Sequence, residues 1–194
     1  MKFSEFDLNI LGEIGNISVG GAAASLSDFM SKLVTISIPD TKIQTFRTLK
    51  EEFGASFVFA KIDYANGLEG SNVLLMKKEE ALSFSKIIAK EKLEVEIEVW
   101  DDFSKEVLAE VFNIMVGNMT SSMSEMFSQN IKIDTPQIME GAAENMTYFK
   151  EDEELVTIWF EIRVENSFNV KLVKIINDAQ ANQMIHLLRE DHQL

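Results

Sequence analysis

The sequence predicts an α/β fold of the α+β type, built from two copies of a helix-β-β-β-helix unit that a pseudo-twofold axis relates. The first observation is a motif that occurs twice, Glu-x-x-Asn followed by a proline 23 positions after the asparagine. Its copies are Glu13, Asn16 and Pro39, and Glu110, Asn113 and Pro136. The two copies lie 97 positions apart. The second observation is that other segments repeat at this offset, such as 72–77 and 169–174. We therefore expect largely antiparallel sheets and two long helices that carry the motifs.

A long helix opens each half of the chain. The predicted helices span about residues 4–31 and 102–128. Apolar residues recur every three or four positions in both segments, which is the period of an amphipathic helix. Ser4-x-x-Asp7 is a capping signal for the first helix, and Asp101 or Asp102 is available to cap the second.

Three strands and a shorter helix follow in each half. The strand segments are rich in β-branched and aromatic residues. They lie near 34–46, 55–64 and 70–76, and near 131–139, 155–164 and 168–176. The closing helices lie near 79–91 and 177–188, and Asn177 with Gln180 forms a capping signal for the second of them.

The predicted domain organisation is a single domain over residues 1–194, made of two repeats at about 1–92 and 100–194. Between them, residues 93–99 alternate strictly between apolar and acidic side chains, which predicts an extended edge segment. Its acidic face is better explained by solvation of a connector than by cation binding.

Composition excludes several classes of function. A net charge of −14 without clustered Lys or Arg argues against nucleic acid and anionic lipid as partners, and favours a partner with a basic rim. The absence of cysteine excludes thiol catalysis and thiolate metal sites. No metal site is expected around His186 and His192, which lie at the C-terminal end. No segment is long enough to insert into a membrane and none resembles a signal peptide, so we expect a cytoplasmic protein.

The motif residues are expected to share one face of each long helix, since positions i, i+4, i+7 and i+11 form a stripe. The two stripes are Asn9, Glu13, Asn16 and Gly20, and Glu106, Glu110, Asn113 and Gly117. A carboxylate and a carboxamide supply neither a nucleophile with its base nor a metal cage. They can orient a water molecule and a partner, because a carboxamide both donates and accepts hydrogen bonds.

A simpler interpretation is that these are ordinary surface residues, or that Asn16 and Asn113 form hydrogen bonds within the fold. The doubled spacing to proline favours a function, although duplication by itself explains part of the repetition. Pro39 and Pro136 are expected to be structural, at an edge or a bulge of the first strand. Methionines at helical spacing after the second motif, such as Met115 and Met119, are expected in the core.

With these residues in place, the chain resembles the CheC family of bacterial chemotaxis phosphatases, in which CheC is grouped with CheX and FliY. The pattern Glu-x-x-Asn-x(22)-Pro is the signature of that family and is present twice. The stretch Glu-Ile-Gly-Asn-Ile-Ser-Val-Gly-Gly-Ala, which begins at Glu13, is also similar to the family's first motif. Two intact motifs are more similar to CheC than to CheX, which has one motif and acts as a dimer.

The resemblance implies a CheC-like fold and the hydrolysis of the aspartyl phosphate of CheY-like response regulators. It implies that Asn16 and Asn113 position the attacking water and that Glu13 and Glu110 dock onto the regulator. It also implies that the protein has no cofactor of its own, since the regulator supplies Mg²⁺. A non-enzymatic role stays open, as an adaptor that binds the receptor deamidase CheD or as a component of the flagellar switch.

The two motif copies are not identical in their surroundings. Where the family often has Asp or Ser four positions before the glutamate, this chain has Asn9 and Glu106. Phe112 replaces the glycine found at Gly15 in the first copy. We expect the bulk of Phe112 to weaken the second site or to change how a partner fits there.

Overall fold

An eight-stranded antiparallel sheet organises the chain in the computed structural model, which describes residues 3–53, 56–68, 70–141, 149–165 and 168–192. The helices are α1 Glu5–Met30, α2 Phe46–Phe53, α3 Lys78–Ile88, α4 Asp102–Met126 and α5 Asp178–His192. The strands are β1 Val34–Ile36, β2 Asp40–Thr45, β3 Phe57–Ala65, β4 Gly70–Lys77, β5 Lys132–Ile133, β6 Gln137–Gly141, β7 Glu154–Val164 and β8 Phe168–Ile176. The predicted α+β class with antiparallel pairing is confirmed.

The two halves of the chain exchange strands. The sheet runs β1-β7-β8-β4-β3-β5, with β2 also on β7 and β6 also on β3. The first two strands of each half therefore pair with the long hairpin of the other half, and β4 and β8 meet in the centre. If each strand is replaced by its counterpart in the other half of the chain, the same strand order is obtained in reverse, from the opposite edge of the sheet. An internal duplication would produce this symmetry. The duplication itself remains our interpretation of the sequence.

A β-bulge divides the first predicted strand of each half into two. β1 ends with Ile36 opposite Ile162, and β2 begins with Asp40 opposite Trp159, so residues 37–39 lie opposite only two residues of β7. The same surplus of one residue separates β5 from β6 along β3. Such an extra residue bends the strand and leaves a position without a ladder hydrogen bond, which suits a proline.

The helices α1, α3, α4 and α5 pack against one face of the sheet. The capping predictions are confirmed: Ser4 Oγ accepts from Asp7 N at 3.2 Å, Asp101 Oδ1 from Ser104 N at 2.9 Å, and Asn177 Oδ1 from Gln180 N at 2.9 Å. The largest core cluster joins buried side chains of α1, α3 and α4 to alternate residues of the sheet. Met115, Met119 and Met123 are fully buried, as expected for methionine at helical spacing.

The helices α1 and α4 cross where side chains are small. A Cβ atom on Gly21 would lie 3.1 Å from the backbone oxygen of Asn118 and 2.5 Å from Ser122 Oγ. Gly21 and Asn118 are 97 positions apart, so two positions that the predicted duplication makes equivalent meet at the crossing. This close approach requires glycine, since any side chain would push the helices apart.

Two sequence predictions differ from the structure. The helix α2 was not predicted; Thr45 Oγ1 accepts from Thr48 N at 3.2 Å at its start, and its Phe46 and Leu49 are buried on the opposite face of the sheet. The predicted extended edge segment at 93–99 is also wrong, because Leu93 ends a π-helical turn that begins at Ala89, and residues 94–99 pair with no described strand.

In the part of the chain that the structure describes, no helix has the length and hydropathy needed to span a membrane.

Candidate functional site

The exposed stripes form as the helical spacing predicts. Glu13, Asn16, Glu110 and Asn113 are all exposed, each on the outer face of its long helix. Within the described residues, the four side chains form no hydrogen bond and no ion pair. The alternative that Asn16 and Asn113 are bonded within the fold is therefore wrong for this structure. Their polar groups are available to a water molecule or a partner.

The first motif lies in a groove between α1 and the bulge of the facing edge strand. The groove has a volume of about 270 Å³. Its walls are Asn9, Gly12, Glu13 and Asn16 from α1 and Ile38, Pro39 and Thr41 from the strand. The fold thus brings the glutamate, the asparagine and the proline of the motif to one place, although 22 residues lie between the last two.

Gly12 permits the close approach that shapes this groove. A Cβ atom at Gly12 would lie 3.2 Å from Thr41 Oγ1, so a larger residue would push α1 away from β2. Ala109 stands at the equivalent position of α4. Neither Gly12 nor Ile38 was singled out from the sequence. The signal for Ile38 was Pro39 itself, because a proline interrupts a strand and turns the preceding residue out of its ladder.

Pro39 and Pro136 occupy equivalent bulges at opposite edges of the sheet. Beside Pro39, Ser37 N donates to the backbone oxygen of Glu161 at 2.9 Å. Beside Pro136, Asp134 N donates in the same way to Asp63 O, also at 2.9 Å. The backbone geometry next to the two motifs is therefore matched, and the two sites differ in their side chains.

Phe112 does not lie on the exposed face of α4 that carries the second motif. Its side chain is fully buried in the main core cluster, on the opposite side of α4 from Glu110 and Asn113. Gly15 is buried too, and a Cβ atom there would lie 2.8 Å from Ile158 Cδ1 of β7. Gly15 lets α1 lie close to β7, whereas Phe112 places a ring in the core beneath α4. The difference between the two residues therefore affects how each helix packs on the sheet. Phe112 adds no bulk to the face that a partner would meet.

The differences that do reach the surface lie around the groove. Asn9, Ile38 and Asp40 of the first site have Glu106, Thr135 and Gln137 as counterparts. Ile38 is 92% exposed, whereas Thr135 is a polar exposed residue whose backbone N–H donates to Asp134 Oδ1 at 2.7 Å. The first site therefore presents an apolar side chain beside its polar pair, and the second site presents a hydroxyl group.

The described residues contain no cluster of side chains that could hold a metal ion near the motifs. Within them, no group of three or more His, Asp or Glu side chains could hold a metal ion. His186 is exposed on α5, and the side chain of His192 lies outside the described residues. A carboxylate and a carboxamide on one exposed face are able to orient a water molecule and a partner.

Two family models match the chain, one over each motif. The model described as chemotaxis phosphatase CheX matches residues 58–161, which include the second motif. The model described as the CheC-like family matches residues 6–43, which include the first motif. The CheX model alone spans more than half of the 194 residues.

Individual relatives agree with these models. The flagellar motor switch phosphatase FliY of Bacillus subtilis is 26% identical over 178 residues, which is 91% of this chain and 45% of that protein. The CheY-P phosphatase CheC of the same organism is 24% identical over 140 residues, 69% of this chain and 66% of that protein. The chain thus spans about half to two thirds of the length of these relatives.

Solved structures share the fold. The crystal structure of Thermotoga maritima FliY has a TM-score of 0.85 and 25% identity, and the match covers 98% of this chain and 99% of that chain. A CheX–CheY–BeF3–Mg²⁺ complex from Borrelia burgdorferi has a TM-score of 0.55 and 20% identity, covering 84% of this chain and 97% of that one. The resemblance seen in the motifs is confirmed: the chain belongs to the family of CheX- and CheC-like chemotaxis phosphatases.

Proposed function

We propose that this protein hydrolyses the aspartyl phosphate of CheY-like response regulators. The observation that carries the proposal is the groove in which Glu13 and Asn16 lie together beside Pro39, exposed and without partners among the described residues. A second pair, Glu110 and Asn113, is exposed in the same way on α4. The names of the B. subtilis relatives, a motor switch phosphatase and a CheY-P phosphatase, support the same reaction.

In the proposed mechanism, the carboxamide of Asn16 or Asn113 enters the phosphorylated site of the regulator and holds a water molecule in line with phosphorus. The water oxygen forms a new P–O bond as the bond to the aspartyl oxygen breaks. The products are a free aspartate carboxylate and inorganic phosphate. In this mechanism the protein orients the attacking water and supplies no nucleophile of its own. A glutamate and an asparagine are suited to that role.

The proposed role of Glu13 and Glu110 is docking. A carboxylate one helical turn from the asparagine can pair with a cation on the regulator and fix the angle at which the carboxamide enters. The net charge of −14 favours association with a partner that carries positive charge around its active site. Glu13 is free to make such a pair because it has no cationic neighbour of its own among the described residues.

The Mg²⁺ of the reaction belongs to the regulator in this proposal. Mg²⁺ prefers oxygen ligands that include substrate phosphates, and it neutralises charge on the phosphoryl oxygens. The CheX–CheY complex that shares this fold contains Mg²⁺ together with BeF3. In the proposal, the oxygen ligands come from the phosphorylated site of the regulator.

The test is a dephosphorylation assay with a regulator labelled on its aspartate with ³²P. Addition of the protein should shorten the half-life of the phosphorylated regulator, and the double variant Asn16→Ala with Asn113→Ala should remove the effect. Both substituted side chains are exposed, so the variant should fold as the parent does. An unchanged half-life with the intact protein and its cognate regulator would contradict the proposal.

A second candidate function is that of a structural component of the flagellar switch. The observation that favours it is the 26% identity with FliY over 91% of the chain, because that relative is named as a motor switch protein as well as a phosphatase. Capture of switch proteins by the double asparagine variant as efficiently as by the parent would support this role. Binding to CheD remains an expectation from the family resemblance, to be tested in the same capture experiment.

A further inference from the structure

We propose that Ile38 is a specificity-determining contact for the phosphorylated regulator, and that it makes the first site bind more tightly than the second. The inference rests on the function proposed above and concerns a residue outside the Glu-x-x-Asn pair. Its starting point is exposure. Ile38 is 92% exposed, the highest value among the large apolar side chains of the described residues, and it borders the groove that holds Glu13 and Asn16.

The backbone around Ile38 is held in place on both sides. Ser37 N donates to Glu161 O, and Ser37 Oγ accepts from Glu161 N, both at 2.9 Å. On the other side, Asp40 enters the ladder opposite Trp159. Pro39 further limits Ile38 to extended conformations. An apolar side chain on such a rigid segment loses little conformational entropy when a partner covers it.

The same position in the second site provides an internal comparison. Thr135 occupies the equivalent bulge, with Asp134 N bonded to Asp63 O where Ser37 N is bonded to Glu161 O. The backbones are matched, so the two sites differ at this point by an apolar side chain against a hydroxyl group. Thr buries less apolar surface than Ile and must also satisfy its hydroxyl group when water is excluded.

The expected occupant of this surface is the phosphorylated receiver domain rather than a second copy of this chain. The groove beside Ile38 carries an exposed acidic group, Glu13, and a second copy with its net charge of −14 would bring further negative charge to it. A partner with an apolar patch next to a cation would complement both features. Such a patch would lie beside the phosphorylated site, since Ile38 and Asn16 line one groove.

The test uses variants in which one site remains. Asn113→Ala leaves the first site, and Asn16→Ala leaves the second. In the first background, Ile38→Thr should raise KM for the phosphorylated regulator about tenfold with little change in kcat, which corresponds to about 1.4 kcal/mol. In the second background, Thr135→Ile should lower KM. Leu33→Thr is the matched control, because Leu33 is 59% exposed but lies outside the groove, and it should leave KM unchanged.

Direct binding separates this inference from the proposed function. The dissociation constant of the unphosphorylated regulator loaded with beryllofluoride and Mg²⁺ should rise about tenfold with Ile38→Thr, measured by calorimetry. The protein without the Ile38→Thr substitution should dephosphorylate the regulator. If it does, but Ile38→Thr changes neither KM nor the dissociation constant, the inference is wrong and the phosphatase function stands. If no protein accelerates dephosphorylation, the function fails, and the calorimetric constant still decides the role of Ile38. A shift from dimer to monomer in Ile38→Thr would assign the surface to self-association instead.

Discussion

The first and second motif sites are built on matched backbones and differ in the side chains around them. Both place a glutamate and an asparagine on the exposed face of a long helix, and each half has a proline at a bulge of an edge strand. They differ at Ile38 against Thr135 on the surface, and at Gly15 against Phe112 in the core. The comparison shows that the fold repeats the bulge and the exposed helix face at both edges, while the side chains around them differ.

The largest expected effect comes from removing the positioning group at each site. Asn16→Ala and Asn113→Ala should each abolish the contribution of one site, and the double variant should lose about 10²-fold or more of the acceleration, as misplacement of a reacting group typically does. Because Ile38 favours the first site, Asn16→Ala should lose the larger share at low regulator concentration. The measurement is the initial rate of dephosphorylation for both single variants. Equal losses would remove the asymmetry that we infer.

The next effect tests whether Phe112 acts through packing. Phe112→Ala removes a fully buried ring and should lower the free energy of unfolding by about 3–5 kcal/mol. Phe103→Ala is the control on the same helix; this residue is 38% exposed, so the loss should be much smaller. Urea denaturation followed by circular dichroism measures both. A stable Phe112→Ala variant with altered regulator binding would instead mean that Phe112 acts at the partner surface.

A third difference between the repeats concerns a lysine. Lys77 at the end of β4 is exposed, whereas Lys174 at the corresponding position of β8 is 1% exposed. Among the described residues, its one polar contact is Met123 Sδ at 3.7 Å. Burial lowers the pKa of Lys174 from 10.5 to about 8. The charged form is therefore destabilised in the folded state and not in the unfolded state.

Lys174→Met should therefore raise the free energy of unfolding at pH 7 by about 3 kcal/mol, since each unit of pKa corresponds to 1.36 kcal/mol. The folded pKa lies below the unfolded one, so the unfolded chain binds the extra proton between about pH 8 and 10.5. In that window the parent should gain stability with rising pH relative to Lys174→Met, and below pH 8 the difference should be constant. Lys77→Met is the matched control at the exposed position, and it should change the free energy of unfolding at pH 7 by much less. A difference that does not depend on pH would contradict the buried charge.

The smallest effect concerns two adjacent glycines of α1. Gly20 is exposed with no atom within 4 Å of a Cβ position, so Gly20→Ala should stabilise the helix by about 0.5–1 kcal/mol. Gly21→Ala should destabilise the protein, because its Cβ would meet Asn118 and Ser122 at the helix crossing. Thermal unfolding of the two variants measures the difference. Stabilisation by both would mean that α1 and α4 are not tightly packed at this point.

Much of the fold followed from local signals in the sequence. The three capping signals at Ser4, Asp101 and Asn177 are short-range patterns, and each begins a helix as predicted. The motif stripe followed in the same way from helical spacing. The exchange of β1 and β2 onto β7 could not be predicted, because the alternation in a strand specifies which face is buried and not which strand is its neighbour.

Two features were not predicted from the sequence, the helix α2 and the exposure of Ile38. In both, the surrounding structure outweighs the local pattern of apolar residues. The helix α2 has eight residues and is stabilised by burying Phe46 and Leu49, which a strand would also bury. The alternation of Val34, Ile36 and Ile38 is typical of one buried strand face, yet the bulge at Pro39 leaves Ile38 exposed. The sequence therefore predicted the wall of the groove that α1 forms, with Glu13 and Asn16. It did not predict that Ile38 would be exposed on the opposite wall.

The exchange of strands between the halves has a consequence during synthesis on the ribosome. Val34 of β1 pairs with Val164 of β7, so the partner of β1 is made 130 residues later. At typical translation speeds that interval is on the order of ten seconds. Until then the nascent first half has its edge strands unpaired and its hairpin uncovered, and such surfaces favour aggregation. The N-terminal half is therefore the part of the chain for which protection by a chaperone matters most.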